Sequence, residues 1–207
     1  SWYDKVTSST VYCTTDKAYT PVGAAAKYGQ VSPHNMKVTT LADQNRLFTQ
    51  MKGKTVGVSI KDRGAVFPSG HTANGAYWFE GLNEGKWITS SYYMDKLPKW
   101  VKEFNTSSNM SKYLKTWNTL YDINLYHESG PDNSNYEKGF IGKTSPVFPY
   151  NLKELMASNE GYDIIKTSPF GNTMITDFAF SAIEAESLGD DEFTDFLTIS
   201  YSSTDYV

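Results

Sequence analysis

The stretch 56–79, "VGVSIKDRGAVFPSGHTANGAYWF", starts as an apolar strand. It then meets three consecutive charges, Lys61, Asp62 and Arg63, and continues as a loop rich in Gly and broken by Pro. With the two residues before it, the strand becomes "KTVGVSI", 54–60, whose nearly continuous apolar character predicts a strand covered on both faces. Upstream, "SPHNMKVTTLADQNRLFTQMKG" predicts a helix. Ser32 is its candidate N-cap and Pro33 its first residue. Val38, Leu41, Asn45 and Phe48 form a mostly apolar face, and Gly53 is the stop. A helix feeding a short buried strand is half of an α/β unit.

The same grammar returns near the end. "SPFGNTMITDFAFSAIEAESLG" has Ser168 and Pro169 at its start and Gly189 at its stop. Phe170, Met174, Phe178 and Ala182 line one helical stripe, with Ile175 and Ile183 beside it. "DFLTISY", 195–201, follows as another buried strand. Two helix–strand units predict a layered α/β core with parallel strands. "STVYCT", 9–14, reads as a further strand, and 15–31 as a loop.

The middle of the chain differs. "GKWITSSYYM" alternates like a hairpin, and "LPKWVKEFN" is a short amphipathic helix. Twelve aromatic residues fall between Tyr77 and Tyr126. The expected organisation is a partial α/β core over 1–64, an aromatic-rich α+β insertion or cap lobe over 65–165, and a continuation of the core over 166–207. The aromatics read as that lobe's own small core. A sugar- or base-stacking surface is the functional alternative.

Bulk properties remove several classes. A net charge of −4 gives no basic surface for nucleic acid. No apolar run is long enough to cross a bilayer, and no basic-then-apolar leader opens the sequence. The single cysteine, Cys13, excludes an internal disulfide and reads as a small buried residue. His34, His71 and His127 have no metal-ligand spacing. His71, in "SGHTANG", reads as a packed, hydrogen-bonded loop residue.

The charged strand ends carry the chemistry. In open α/β sheets ligands bind beyond the carboxyl ends of strands, where both "SIKDRG" and "SSTDYV" fall. In an extended segment Lys61 and Arg63 lean to one side, with Asp62 opposed. An ammonium and a guanidinium aimed at one point suit a phosphate. The ordinary alternative is a solvated turn. Asp205 likewise reads either as a metal ligand or as a turn former and cap.

Taken together, "GVSIKDRGAVFPSGHTANGAYWF", "GKWITSSYYMDKLPKWVKEFN", "SPFGNTMITDFAFSAIEAESLG" and "DFLTISYSSTDYV" resemble successive blocks of bacterial alkaline phosphatases. The branch is the phosphate-irrepressible, Thr-nucleophile type, in the nucleotide pyrophosphatase/phosphodiesterase part of that superfamily. The resemblance implies an alkaline phosphatase-like α/β core and two zinc ions. It also implies hydrolysis of phosphate monoesters through a covalent phosphothreonine. It gives Lys61 and Arg63 contacts to the phosphoryl oxygens and makes Asp205 a zinc ligand.

The nucleophilic Thr, a phosphate-contacting Asn and one metal-binding Asp would precede this sequence, and further ligands would follow Val207. The expectation is therefore a central part of a periplasmic or secreted enzyme, inactive alone. A phosphodiesterase or nucleotide pyrophosphatase, and a non-catalytic binding module, for example for carbohydrate, are the competing functions.

Overall fold

The computed structural model describes residues 1–25, 28–82, 85–107 and 110–206. Strands β1 (Trp2–Asp4) and β2 (Ser9–Val11) form an N-terminal antiparallel hairpin. The chain continues through β3 (Pro21–Val22), helix α1 (Leu41–Phe48), β4 (Thr55–Ser59), α2 (Asp62–Ser69), β5 (Gly75–Glu80), β6 (Lys86–Ser90) and α3 (Lys99–Ser107). A short ladder pairs β7 (Thr116–Trp117) with β8 (Tyr150–Asn151), which leads into the single turn α4 (Leu152–Leu155). The long helix α5 (Pro169–Glu186) and strand β9 (Phe196–Ser200) complete the order.

Five strands make the main sheet, in the order β3-β6-β5-β4-β9. β4 runs parallel to both β5 and β9, while β6 is antiparallel to β5 and β3. The β4–β5 pair is parallel because α2 carries the chain from the end of β4 back to the start of β5. Alternate side chains then face opposite layers. Val56, Val58, Tyr77 and Phe79 join the core under α5 with Met174, Ile175 and Phe178. Ala76 and Trp78 face the other way and pack with Ala65 and Val66 of α2. The fold is mixed α/β, and β4 is buried along its whole length as its composition predicts.

Gly57 allows α2 to lie directly on β4. A Cβ there would sit 2.0 Å from Ser69 Oγ and 2.4 Å from the Ala65 carbonyl oxygen. Backbone cannot yield as a flexible side chain does, so Gly57→Ala is expected to destabilise the protein by about 3 kcal/mol. Chemical denaturation measures this directly. An unchanged midpoint would mean that α2 does not lie on β4 as described.

The helix anticipated from Ser32 is shorter. α1 begins at Leu41, capped by Thr40, whose hydroxyl accepts from Asp43 N–H while Asp43 Oδ2 accepts from Thr40 N–H. Ser32 is instead buried and donates to Asp16 Oδ2 at 2.6 Å. The anticipated apolar face is also outward: Val38, Leu41 and Phe48 are 70%, 73% and 89% exposed. Tertiary hydrogen bonds choose the face. The buried Asp43 accepts at Oδ1 from His71 N–H, Thr72 N–H and Thr72 Oγ1, all within 2.9 Å. Burial alone would raise the Asp43 pKa, but hydrogen bonds from Thr40 and Thr72 outweigh it and leave the group below the usual carboxylate range. His71 is thus a hydrogen-bonded loop residue, its Nε2 lying 3.2 Å from the Val38 carbonyl.

Helix α5 starts after Ser168, at Pro169, as its sequence predicts. Met174, Ile175, Phe178 and Ala182 are all fully buried. Strand β9, anticipated as buried, is only partly covered, because its one partner among the described residues is β4. The anticipated division after residue 64 falls inside α2, and β5 and β6 are hydrogen-bonded into the main sheet. The aromatics of the middle stretch do not form a separate core. Tyr77, Phe79, Trp87, Phe104 and Tyr113 share one buried cluster with β4 and α5.

Candidate functional site

The charged segment is not extended. Lys61 is the N-cap of α2, and Asp62 and Arg63 are its first two helical residues. The Lys61 carbonyl accepts from the N–H groups of Gly64 and Ala65, so the chain coils at once. The presumed Gly- and Pro-broken loop is therefore largely helix, with Pro68 in the last turn. The helix forms because Ala65 and Val66 bury completely against the sheet, despite the weak helix formers around them.

Parallel pairing brings the second charged end alongside. Ser59 and Ser200 are register partners, so the carboxyl ends of β4 and β9 are neighbours. Lys61 Nζ consequently donates to Asp205 Oδ2 at 2.7 Å, across 144 residues of sequence. The Lys61 side chain is only 11% exposed, against 66% for Asp205. Its ammonium also lies 4.5 Å from the centre of the Tyr206 ring. The Lys61 hydrogen bond and charge, with Arg63 adding to them, hold the Asp205 carboxyl below the usual carboxylate range. Asp205 itself sits in a single 3₁₀ turn, Ser203–Asp205.

Arg63 Nη1 donates to the Tyr12 hydroxyl at 3.3 Å. Asp62 accepts from Tyr12 and Thr14, at 2.7 and 2.6 Å. These cations edge a cleft of about 480 Å³, whose lining includes Tyr12, Lys61, Arg63, Glu80, Asp163, Lys166 and Tyr206. The cleft lies at the carboxyl ends of β4 and β5, where an open α/β sheet binds ligands. Across it, Lys166 Nζ pairs with Asp163 Oδ1 at 2.6 Å.

Sequence reasoning missed Tyr12, Thr14, Asp163 and Lys166. The signal for the first two was faint: in "TVYCTT" they are two apart and share one side of an extended segment, with Cys13 between them. Cys13 is partly rather than fully buried. None of the three histidines lines the cleft.

Among the described residues, no three His, Cys, Asp or Glu side chains converge on a point that would hold a metal ion. Asp205 is a lone carboxylate whose Oδ2 already faces an ammonium. A catalytic zinc takes three protein ligands, so the described residues do not by themselves fit one. What the arrangement offers chemically is anion binding: an ammonium and a guanidinium beside one concave surface.

The class that the structure defines is an α/β protein whose strand ends bring a lysine and an arginine to one cleft, and comparison with known proteins narrows it. No protein-family model matches the chain. It is 44% identical over 208 residues to alkaline phosphatase PhoV of Synechococcus elongatus, covering 100% of this chain and 37% of that protein. It is 45% identical over 210 residues to alkaline phosphatase PafA of Elizabethkingia meningoseptica, covering 100% and 38%. A Myroides odoratus protein named calcium-transporting ATPase is 48% identical over 206 residues, covering 98% and 37%.

The crystal structure of wild-type PafA matches with a TM-score of 0.93 at 44% identity, covering 100% of this chain and 40% of that one. A PafA variant with four substitutions, two of them at a lysine and an arginine two positions apart, matches with the same TM-score. The chain spans about two fifths of the length of these relatives. Over that span it is similar to part of the alkaline phosphatases PafA and PhoV.

Proposed function

We propose that this chain is the phosphoryl-binding part of a larger phosphate monoester hydrolase, in which Lys61 and Arg63 grip the transferring phosphoryl group. The observation that carries the reading is their convergence on one cleft, with Asp205 against Lys61. Support comes also from the similarity of this whole chain to part of two alkaline phosphatases. The lysine–arginine spacing of the substituted PafA variant matches that of Lys61 and Arg63.

Phosphoryl transfer spreads negative charge over the oxygens of the moving group, and fixed cations in a sheltered site stabilise that charge. Arg63 offers a planar fork to two oxygens, and Lys61 acts as a point charge. The attacking threonine and the other zinc ligands that the resemblance implies would come from the rest of the polypeptide, joining Asp205. The chain alone would then be inactive. In this reading the protein works in the periplasm or outside the cell.

The name of the Myroides relative, a calcium-transporting ATPase, also describes phosphoryl chemistry, since ATP hydrolysis moves a phosphoryl group. Among the described residues no helix is long and apolar enough to cross a membrane.

A monoester carries one more charged oxygen than a diester, which favours monoesters at a site with two cations. In the complete protein, kcat/KM for p-nitrophenyl phosphate is expected to exceed that for bis(p-nitrophenyl) phosphate, with no turnover by the 207-residue chain alone in added zinc. A diester preference would replace this reading with a phosphodiesterase.

A further inference from the structure

The side-chain hydrogen bond of Arg63 reaches a residue 51 positions away in sequence. Its guanidinium Nη1 donates to the Tyr12 hydroxyl at 3.3 Å, and that hydroxyl donates onward to Asp62 Oδ1 at 2.7 Å. Thr14 Oγ1 donates to the other carboxylate oxygen, Oδ2, at 2.6 Å. Two hydroxyls, from a segment 50 and 48 residues away, therefore clamp both oxygens of Asp62. The geometry points to Tyr12 as a positioning residue for Arg63: its phenol ties the guanidinium to the clamped carboxylate and holds it at the edge of the cleft.

The inference rests on the proposed function, because it assigns Tyr12 a part in the phosphoryl grip of Arg63. A phenol suits this task better than a carboxylate. A carboxylate engaged directly with Arg63 would neutralise the guanidinium and occupy the fork that an anion needs. A neutral hydroxyl takes one N–H and leaves the positive charge free to act. Consecutive residues at a helix start also point about 100° apart, so a bridging group is a natural way to couple Asp62 to Arg63. Burial, then the hydrogen bond to Asp62, pushes the Tyr12 phenol up to about 12. It therefore stays protonated, and remains a donor to Asp62, through neutral and mildly alkaline solution. Tyr12 and Arg63 both line the cleft, so the relay sits at the site itself.

The test is a double-mutant cycle in the complete protein, read by monoester kcat/KM and by competitive inhibition with inorganic phosphate. Tyr12→Phe keeps the ring and removes the hydroxyl. It is expected to lower kcat/KM about threefold to tenfold and to weaken phosphate inhibition comparably. In an Arg63→Ala background the same change is expected to alter either value by less than about twofold. Thr14→Val, which loosens Asp62 without touching the ring, is expected to give a smaller loss with the same dependence on Arg63. It carries the cycle should Tyr12→Phe fold poorly.

Equal losses in both backgrounds would mean that Tyr12 is merely structural and would overturn the inference. So would an unaltered Tyr12→Phe enzyme when Arg63→Ala is impaired. If Arg63→Ala itself leaves monoester turnover intact, the proposed function fails, a result separable from failure of the tyrosine's role.

Discussion

Lys61→Ala and Arg63→Ala should each lower monoester kcat/KM of the complete protein by about 10²- to 10³-fold, the usual cost of removing one fixed donor from developing negative charge. The loss on a diester should be much smaller, because one phosphoryl oxygen there is esterified and needs no cation. Loss of folding would not explain such a result. The carboxylate that Lys61 pairs with is largely solvent-exposed, so removing the lysine leaves no buried unpaired charge behind. Melting temperatures close to the unsubstituted protein are therefore expected beside the large kinetic loss. Arg63→Lys should recover part of the activity, since it restores charge without the bidentate fork. Equal losses on both ester classes would instead indicate a general defect in site architecture.

The second large effect concerns the core beneath the site. Phe178 of α5 is fully buried and touches four other rings. It stacks on Trp87 with centroids 4.0 Å apart and planes inclined by 14°. Tyr77, Trp100 and Phe104 meet it at 5.6, 5.0 and 5.1 Å. One side chain thus joins the sheet, α3 and α5. Phe178→Ala should destabilise the protein by about 4 kcal/mol, through lost transfer energy plus a cavity that rigid aromatic neighbours cannot close. Phe178→Leu should cost less, since it fills more of that space. Equilibrium denaturation separates the two, and similar small losses for both would mean that the aromatic cluster packs more loosely than described.

The helix α5 was readable because its signals are local: a serine and proline at one end and an apolar stripe that repeats along its length. Strand β4 was readable for the same reason. α1 was not, because Ser32 spends its hydroxyl on Asp16, while Asp43 binds the loop at His71 and Thr72. Those are tertiary hydrogen bonds, and a pattern of apolar residues carries no trace of them. α2 was hidden by Gly64 and Pro68, weak helix formers that burial of Ala65 and Val66 overrides. At the site, the rule that α/β sheets bind ligands at strand ends brought Lys61, Arg63 and Asp205 into view. Tyr12 and Thr14 stayed out of view, because their partner Asp62 is 50 and 48 residues away and no spacing links them.

The most direct measurement is a crystal structure of the complete protein with bound inorganic phosphate. The prediction is a phosphate in the cleft, with oxygens within hydrogen-bond distance of both Lys61 Nζ and the Arg63 guanidinium. A phosphate seated elsewhere, with both side chains turned toward solvent, would contradict the role given to the two cations.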